Sequence, residues 1–191
     1  MIKHTVKYII DTIFWGVYGK TIGNPKIPLE VKSILFVCKG NICRSPFAEK
    51  YANQNPNISD QYQFSSAGII VGSPQAPPVE GVIAAYNYGV NLQDHKSRSI
   101  NYRMMESFDL IVAMEVCQYK YLNKLFAEFK DKIFLLPLFD NNIELLNQYS
   151  IYNIKDPYGK SQDEFIKCFD RIKHCIEGLF KDIHSNEENI I

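Results

Sequence analysis

Nine consecutive residues carry chemistry: Cys38-Lys39-Gly40-Asn41-Ile42-Cys43-Arg44-Ser45-Pro46. The run follows a short apolar stretch, Ser33-Ile34-Leu35-Phe36-Val37, and ends on a hydroxyl and a proline of the kind that open a helix. A loop between a strand and a helix offers several free backbone N–H groups. The helix dipole adds partial positive charge, and together they hold an anion. Gly40 is expected to permit a backbone turn that other residues resist. Arg44 supplies a planar fork that matches two phosphate oxygens. Cys38 begins this cradle, where a helix N-terminus and a nearby Arg favour thiolate over thiol, and Ser45 is placed to donate to the sulfur. A lone cysteine at a strand end is ordinarily a small buried hydrophobe. Cys38, Arg44 and Ser45-Pro46 together, in a strand–loop–helix context, instead read as a sulfur nucleophile aimed at a bound anion.

Transfer of a phosphoryl group also needs a proton for the departing oxygen. Asp156, in Ile154-Lys155-Asp156-Pro157-Tyr158-Gly159, is the candidate, because Pro157 and Gly159 mark a loop from which a side chain can overhang a site. Asp-Pro alone is an ordinary turn; the Cys–Arg loop is what promotes it.

The elements that must position these residues follow from periodicity. The apolar run at 33–37 fits a strand buried on both faces. Further strands are expected at Tyr62–Ser66, Asp109–Ala113 and Lys132–Leu136, and helices at 78–89, 116–130 and 161–183. The last opens on Ser161-Gln162-Asp163-Glu164, a capping box. Its apolar positions Phe165, Cys168, Phe169, Ile172, Ile176, Leu179 and Ile183 form one stripe. Alternating strands and helices predict an α/β fold with a parallel sheet. We expect an N-terminal extension and linker at 1–30, one domain at 31–184 and a polar tail at 185–191.

The 191 residues suit one domain, and 46% hydrophobic content suits a real core. Twenty-one basic and 21 acidic residues leave no basic excess of the kind a non-specific nucleic-acid binder carries. The five cysteines, an odd number with no C-x-x-C pair, argue against a disulfide framework or a zinc site and for the reducing cytoplasm. Val6, Ile9, Ile10, Ile13, Phe14 and Val17 recur at helical spacing, predicting an amphipathic helix that stops near Gly19. Asp11 interrupts its apolar run and no small-residue cleavage site follows, so it does not read as a signal peptide. Its apolar face needs a cover, from the domain, a second subunit or a membrane. Docking on the domain or a copy of it is favoured over membrane contact through residues 1–20, since only Lys3, Lys7 and Lys20, with Asp11 among them, offer surface charge.

These segments closely resemble the low-molecular-weight protein tyrosine phosphatase family, in its bacterial form. The resemblance runs from about Lys32 to Phe180 through Phe36 to Glu49, Phe64-Ser65-Ser66-Ala67-Gly68, Asp94-His95-Lys96-Ser97-Arg98, Asp109-Leu110-Ile111 and Asp156-Pro157-Tyr158. It implies a four-stranded parallel sheet with helices on both faces, and hydrolysis of phosphotyrosine in protein substrates without metal or cofactor. Cys38 would form a phosphocysteine, Asp156 would act as general acid, and Arg44 with the amides of Lys39, Gly40, Asn41, Ile42 and Cys43 would bind the phosphoryl oxygens. Asn41 and Ser45 would hold the loop, His95 would support Asn41, and Tyr158 would wall the substrate ring. Cys43 would capture oxidised Cys38 as a disulfide, or serve only as loop packing.

Lys39 stands where Leu or Thr is common in that family, and Ile69-Ile70-Val71-Gly72-Ser73-Pro74 is short and aliphatic, as in members that act on bacterial tyrosine kinases. Three rivals share the loop. Arsenate reductases need two further cysteines close together after the third strand, where this chain has only Cys117. Arginine phosphatases carry Thr in place of Ile42. A non-catalytic phosphotyrosine-binding module would be expected to lose Cys38 or Asp156, and both are present.

Overall fold

The computed structural model describes residues 22–55, 60–141 and 148–188. The helix expected between Val6 and Val17 lies outside them. The chain forms β1 (Ser33–Cys38), α1 (Arg44–Gln54), β2 (Gln63–Gly68), α2 (Val79–Tyr86), α3 (Tyr102–Ser107), β3 (Leu110–Ala113), α4 (Val116–Leu125), β4 (Ile133–Leu135), α5 (Gln148–Tyr152) and α6 (Gln162–Glu188). Short 3-10 turns follow α4 and β4, at Ala127–Lys132 and Leu136–Phe139.

The four strands are parallel in the order β2-β1-β3-β4. All six residues of β1 are buried, as a central strand covered on both sides requires. Its side chains alternate between two cores. Ile34, Phe36 and Cys38 face a core shared with Phe47, Phe165, Phe169 and Ile176 under α1, α2 and α6. Leu35 and Val37 face another, with Met105, Phe108, Val116 and Leu122 under α3 and α4. The Asp109 carboxylate accepts from the Lys32 and Ser33 amides (both 2.9 Å) and the Ser33 hydroxyl (2.8 Å), pinning the start of β1 to β3.

Three local expectations are corrected. The helix at 116–130 breaks at Phe126, which leaves helical dihedrals (φ −126°, ψ 52°) and buries its ring in the second core. The capping box at 161–164 does not close: Glu164 pairs with Lys167 (2.8 Å) and Lys155 (3.4 Å), while Ser161 contributes its carbonyl to the Glu164 and Phe165 amides. The helix after the chemical loop starts at Arg44 on an N-cap of Cys43, with no side-chain cap, because the Ser45 hydroxyl is used elsewhere.

The stretch before β1 is bound to the domain. The Asn24 amide donates to the Leu135 carbonyl (3.2 Å) and its oxygen accepts from the Leu135 N–H (2.7 Å), on the sheet's outer strand. On the other side, α6 packs so closely on Leu136–Phe139 that a Cβ at Gly178 would lie 1.8 Å from the Phe139 carbonyl oxygen. Gly178→Ala is therefore expected to cost about 3 kcal/mol by overpacking and lower Tm by roughly 5–10 °C. A thermal scan within 1 °C of the parent would show that α6 is not held there.

Candidate active site

Cys38 ends β1 and Arg44 begins α1, so the loop between them lies at the carboxyl ends of the strands, where open α/β sheets bind ligands. Both side chains are buried, Cys38 at 2% and Arg44 at 1% exposure. The Cys38 sulfur accepts from the Asn41 N–H (3.2 Å) and the Ser45 hydroxyl (3.0 Å).

The backbone strain sits on Asn41 (φ 53°), not on Gly40, where an added Cβ would meet only the Ile42 side chain at 3.6 Å. Asn tolerates the left-handed region better than most residues, and here its partners fix it there. Its side-chain amide donates to Ser45 Oγ (3.0 Å) and Ser66 Oγ (2.8 Å), and its side-chain oxygen accepts from the Arg98 N–H (2.9 Å). Its carbonyl lies 2.8 Å from His95 Nε2. A carbonyl only accepts, so that nitrogen carries the proton. Burial holds the His95 imidazole below its ordinary pKa, against the opposing effect of this hydrogen bond. Ser66 in turn donates to Glu49, and the Arg98 guanidinium binds Ser65 Oγ and the Ser66 carbonyl. Gly68 permits the close approach: a Cβ there would come within 2.9 Å of the Gly40 carbonyl carbon and 3.0 Å of the Asn41 nitrogen.

The Arg44 guanidinium is held from three sides. Nη1 donates to the Ile154 carbonyl and lies 2.9 Å from Glu115, and Nη2 lies 2.7 Å from Asp156 Oδ2. Burial alone would weaken its hold on its proton, but Cys38, Glu115 and Asp156 outweigh that and raise its pKa. Arg44 Nε is buried without a hydrogen-bond partner. The Asp156 segment is tied to the end of β3 by the Ile154 N–H to Met114 carbonyl bond (2.9 Å), and the other Asp156 oxygen accepts from the Tyr158 N–H (3.2 Å).

Cys38, Lys39, Gly40, Ile42, Cys43, Arg44, Ile70, Asp156 and Tyr158 line one pocket of about 170 Å³. Cys38 and Arg44 form its buried end, while Ile70 and Tyr158, 67% and 61% exposed, stand at its mouth. Asn41, Ser45 and His95 lie behind the loop as supports. Burial pushes the thiols of Cys43 and Cys168 upward, and that of Cys175 up to about 12. Both α6 cysteines are buried in the first core.

Glu115, Ser66, Arg98 and Glu49 carry no role in the sequence reading. A signal existed for Glu115: it is an acid just beyond a central strand, the usual position of ligand-site residues. The others lie in or beside segments with recognisable motifs, but their contacts are tertiary.

Residues 33–189 match the family model described as low molecular weight phosphotyrosine protein phosphatase. A low molecular weight phosphotyrosine protein phosphatase of Rattus norvegicus is 31% identical over 162 residues, covering 80% of this chain and 96% of its own. The low molecular weight protein-tyrosine-phosphatase Wzb of Escherichia coli K12 is 33% identical over 134 residues, covering 70% and 82%. A solved structure of a YwlE arginine phosphatase superposes with a TM-score of 0.69 at 26% identity, covering 80% of this chain and 95% of that one. With the family model spanning the whole sheet and the loop from Cys38 to Arg44, the chain belongs to the low molecular weight phosphotyrosine protein phosphatase family.

Proposed function

We propose that this enzyme hydrolyses phosphotyrosine in protein substrates through a phosphocysteine at Cys38. The observation that carries this reading is that one pocket brings the Cys38 thiol, the Arg44 guanidinium and the Asp156 carboxylate together with Ile42, Ile70 and Tyr158, a lining suited to a phosphorylated phenyl ring.

Cys38 sulfur attacks phosphorus and the bond to the phenolic oxygen breaks. Asp156 gives that oxygen its proton, and tyrosine leaves. The Asp156 carboxylate then takes a proton from water as the water oxygen attacks phosphorus. The sulfur–phosphorus bond breaks, releasing inorganic phosphate and restoring the thiolate. Arg44 Nε, buried and unpartnered, is a donor for a phosphoryl oxygen, and the loop amides between Lys39 and Arg44 other than that of Asn41, which points at the Cys38 sulfur, supply others as charge shifts outward. A phosphate oxygen would also compete with Asp156 for Nη2, freeing the carboxylate for proton transfer.

The reading is tested by turnover of a phosphotyrosine peptide and para-nitrophenyl phosphate beside a phosphoarginine peptide. The aryl esters are expected to be the better substrates, and the reverse order would overturn the phosphotyrosine assignment. Asp156→Ala is expected to lower the rate on the order of 10²–10⁴-fold, with the smallest loss for phenols that leave readily without a proton. Equal losses for good and poor leaving groups would remove the general-acid role.

Cys43 is proposed as the partner that traps peroxide-oxidised Cys38 in a disulfide, with loss of water. At rest its thiol is kept protonated by burial and by the nearby Asp156 and Cys38 charges, so it does not compete as a nucleophile. Cys43→Ser is expected to keep basal turnover in the same range but regain little of it when thiol is added after peroxide. Full recovery would leave Cys43 a packing residue.

A further inference from the structure

Beside the phosphate pocket lies a larger groove of about 430 Å³, bordered by Ile69 and Ile70 after β2 and by Cys117 and Tyr121 on α4. The two are continuous, because Lys39, Ile70 and Asp156 line both. Tyr158 belongs to the phosphate side and Tyr121 to the groove. Ile70 is 67% and Tyr121 45% exposed, so large apolar side chains stand in water around the site. Contiguous exposed apolar surface next to a polar centre marks a binding surface.

We propose that this groove is a second substrate subsite, which takes a large apolar side chain one or two residues from the phosphotyrosine. The inference rests on the phosphatase reading. An extended peptide advances about 3.3 Å per residue, so a neighbouring side chain reaches a groove that begins at the walls of the phosphate pocket. The groove's acids favour an uncharged occupant. Glu115 is engaged by Arg44, and Asp156 is engaged by Arg44 and the Tyr158 amide. Gln118, the other polar group in the lining, accepts from the Met114 N–H (3.0 Å) and donates to Glu115 (2.8 Å), so the walls left to meet the occupant are two isoleucines, an aromatic ring and a thiol, while Lys39 reaches solvent at the boundary.

The experiment measures kcat/KM of the full chain on phosphotyrosine peptides in which each position from two before to two after the phosphotyrosine is changed between Ala, Leu and Trp. One position is expected to show a roughly ten-fold or greater preference for the large apolar residue, carried in KM. Tyr121→Ala should shrink that preference several-fold by removing a wall, and Cys117→Trp should abolish it by filling the groove. A flat profile, or a preference that survives both variants, overturns the subsite. Para-nitrophenyl phosphate has no neighbouring residues and tests the underlying reading separately. Its failure to turn over would sink the phosphatase assignment, whereas turnover with a flat peptide profile sinks the subsite alone.

Discussion

Cys38→Ser is expected to reduce kcat on an aryl phosphate by on the order of 10⁵–10⁶-fold, the scale seen when a hydrolase loses its nucleophile. The substituted hydroxyl would occupy a place where the Asn41 amide and the Ser45 hydroxyl already point at the sulfur. A serine hydroxyl stays protonated in water, and the two groups that hydrogen-bond this position are donors, not bases. The fold should survive, since the new side chain is smaller and keeps hydrogen-bonding capacity. The variant should therefore still bind phosphotyrosine peptides, and phosphoproteins retained on it would identify substrates. The check is single-turnover chemistry with the variant in excess. Turnover near the parent rate would show that the covalent route is wrong.

Arg44→Lys is expected to cost on the order of 10³-fold in kcat/KM although the charge is kept. A lysine presents one ammonium, whereas the guanidinium reaches Glu115, Asp156 and the Ile154 carbonyl and still has a buried Nε in hand. An ammonium cannot reproduce that planar arrangement. Stability should also fall, by about 1–3 kcal/mol for each buried partner left unsatisfied. Measuring Tm and kcat/KM together separates the two effects. A variant that retained most of its kcat/KM would remove Arg44 from phosphate binding, whatever its melting temperature.

Much of this was readable in the sequence because the decisive signals are local. The loop from Cys38 to Pro46 carries its anion chemistry in adjacent residues, and β1 announces itself as an apolar run before it. The strand cores fall within the expected ranges, shifted by one or two residues at their ends. Non-local features were not readable. The left-handed residue of the loop is Asn41 because Ser45, Ser66, Arg98 and His95 hold it, and no local rule favours it over Gly40. Glu115 meets Arg44 only after β3 is laid beside β1. The short helices α3 and α5 have too few turns for periodicity to show.

The two hydrogen bonds from Asn24 to Leu135 bear on how copies of this chain meet. A parallel sheet of four strands has two open edges, and an exposed edge is a template on which another chain can add a strand and begin aggregation. At β4 the Asn24 side chain already occupies both backbone groups of Leu135 in the manner of a neighbouring strand. The strand is only three residues long, so an incoming chain would have to displace Asn24 to gain a ladder with little length to repay it. Edge-to-edge growth at β4 is thus opposed at Leu135 by a single side-chain amide from the segment that leads into the domain. Self-association of this protein should therefore proceed through side-chain surfaces rather than by continuation of the sheet at β4.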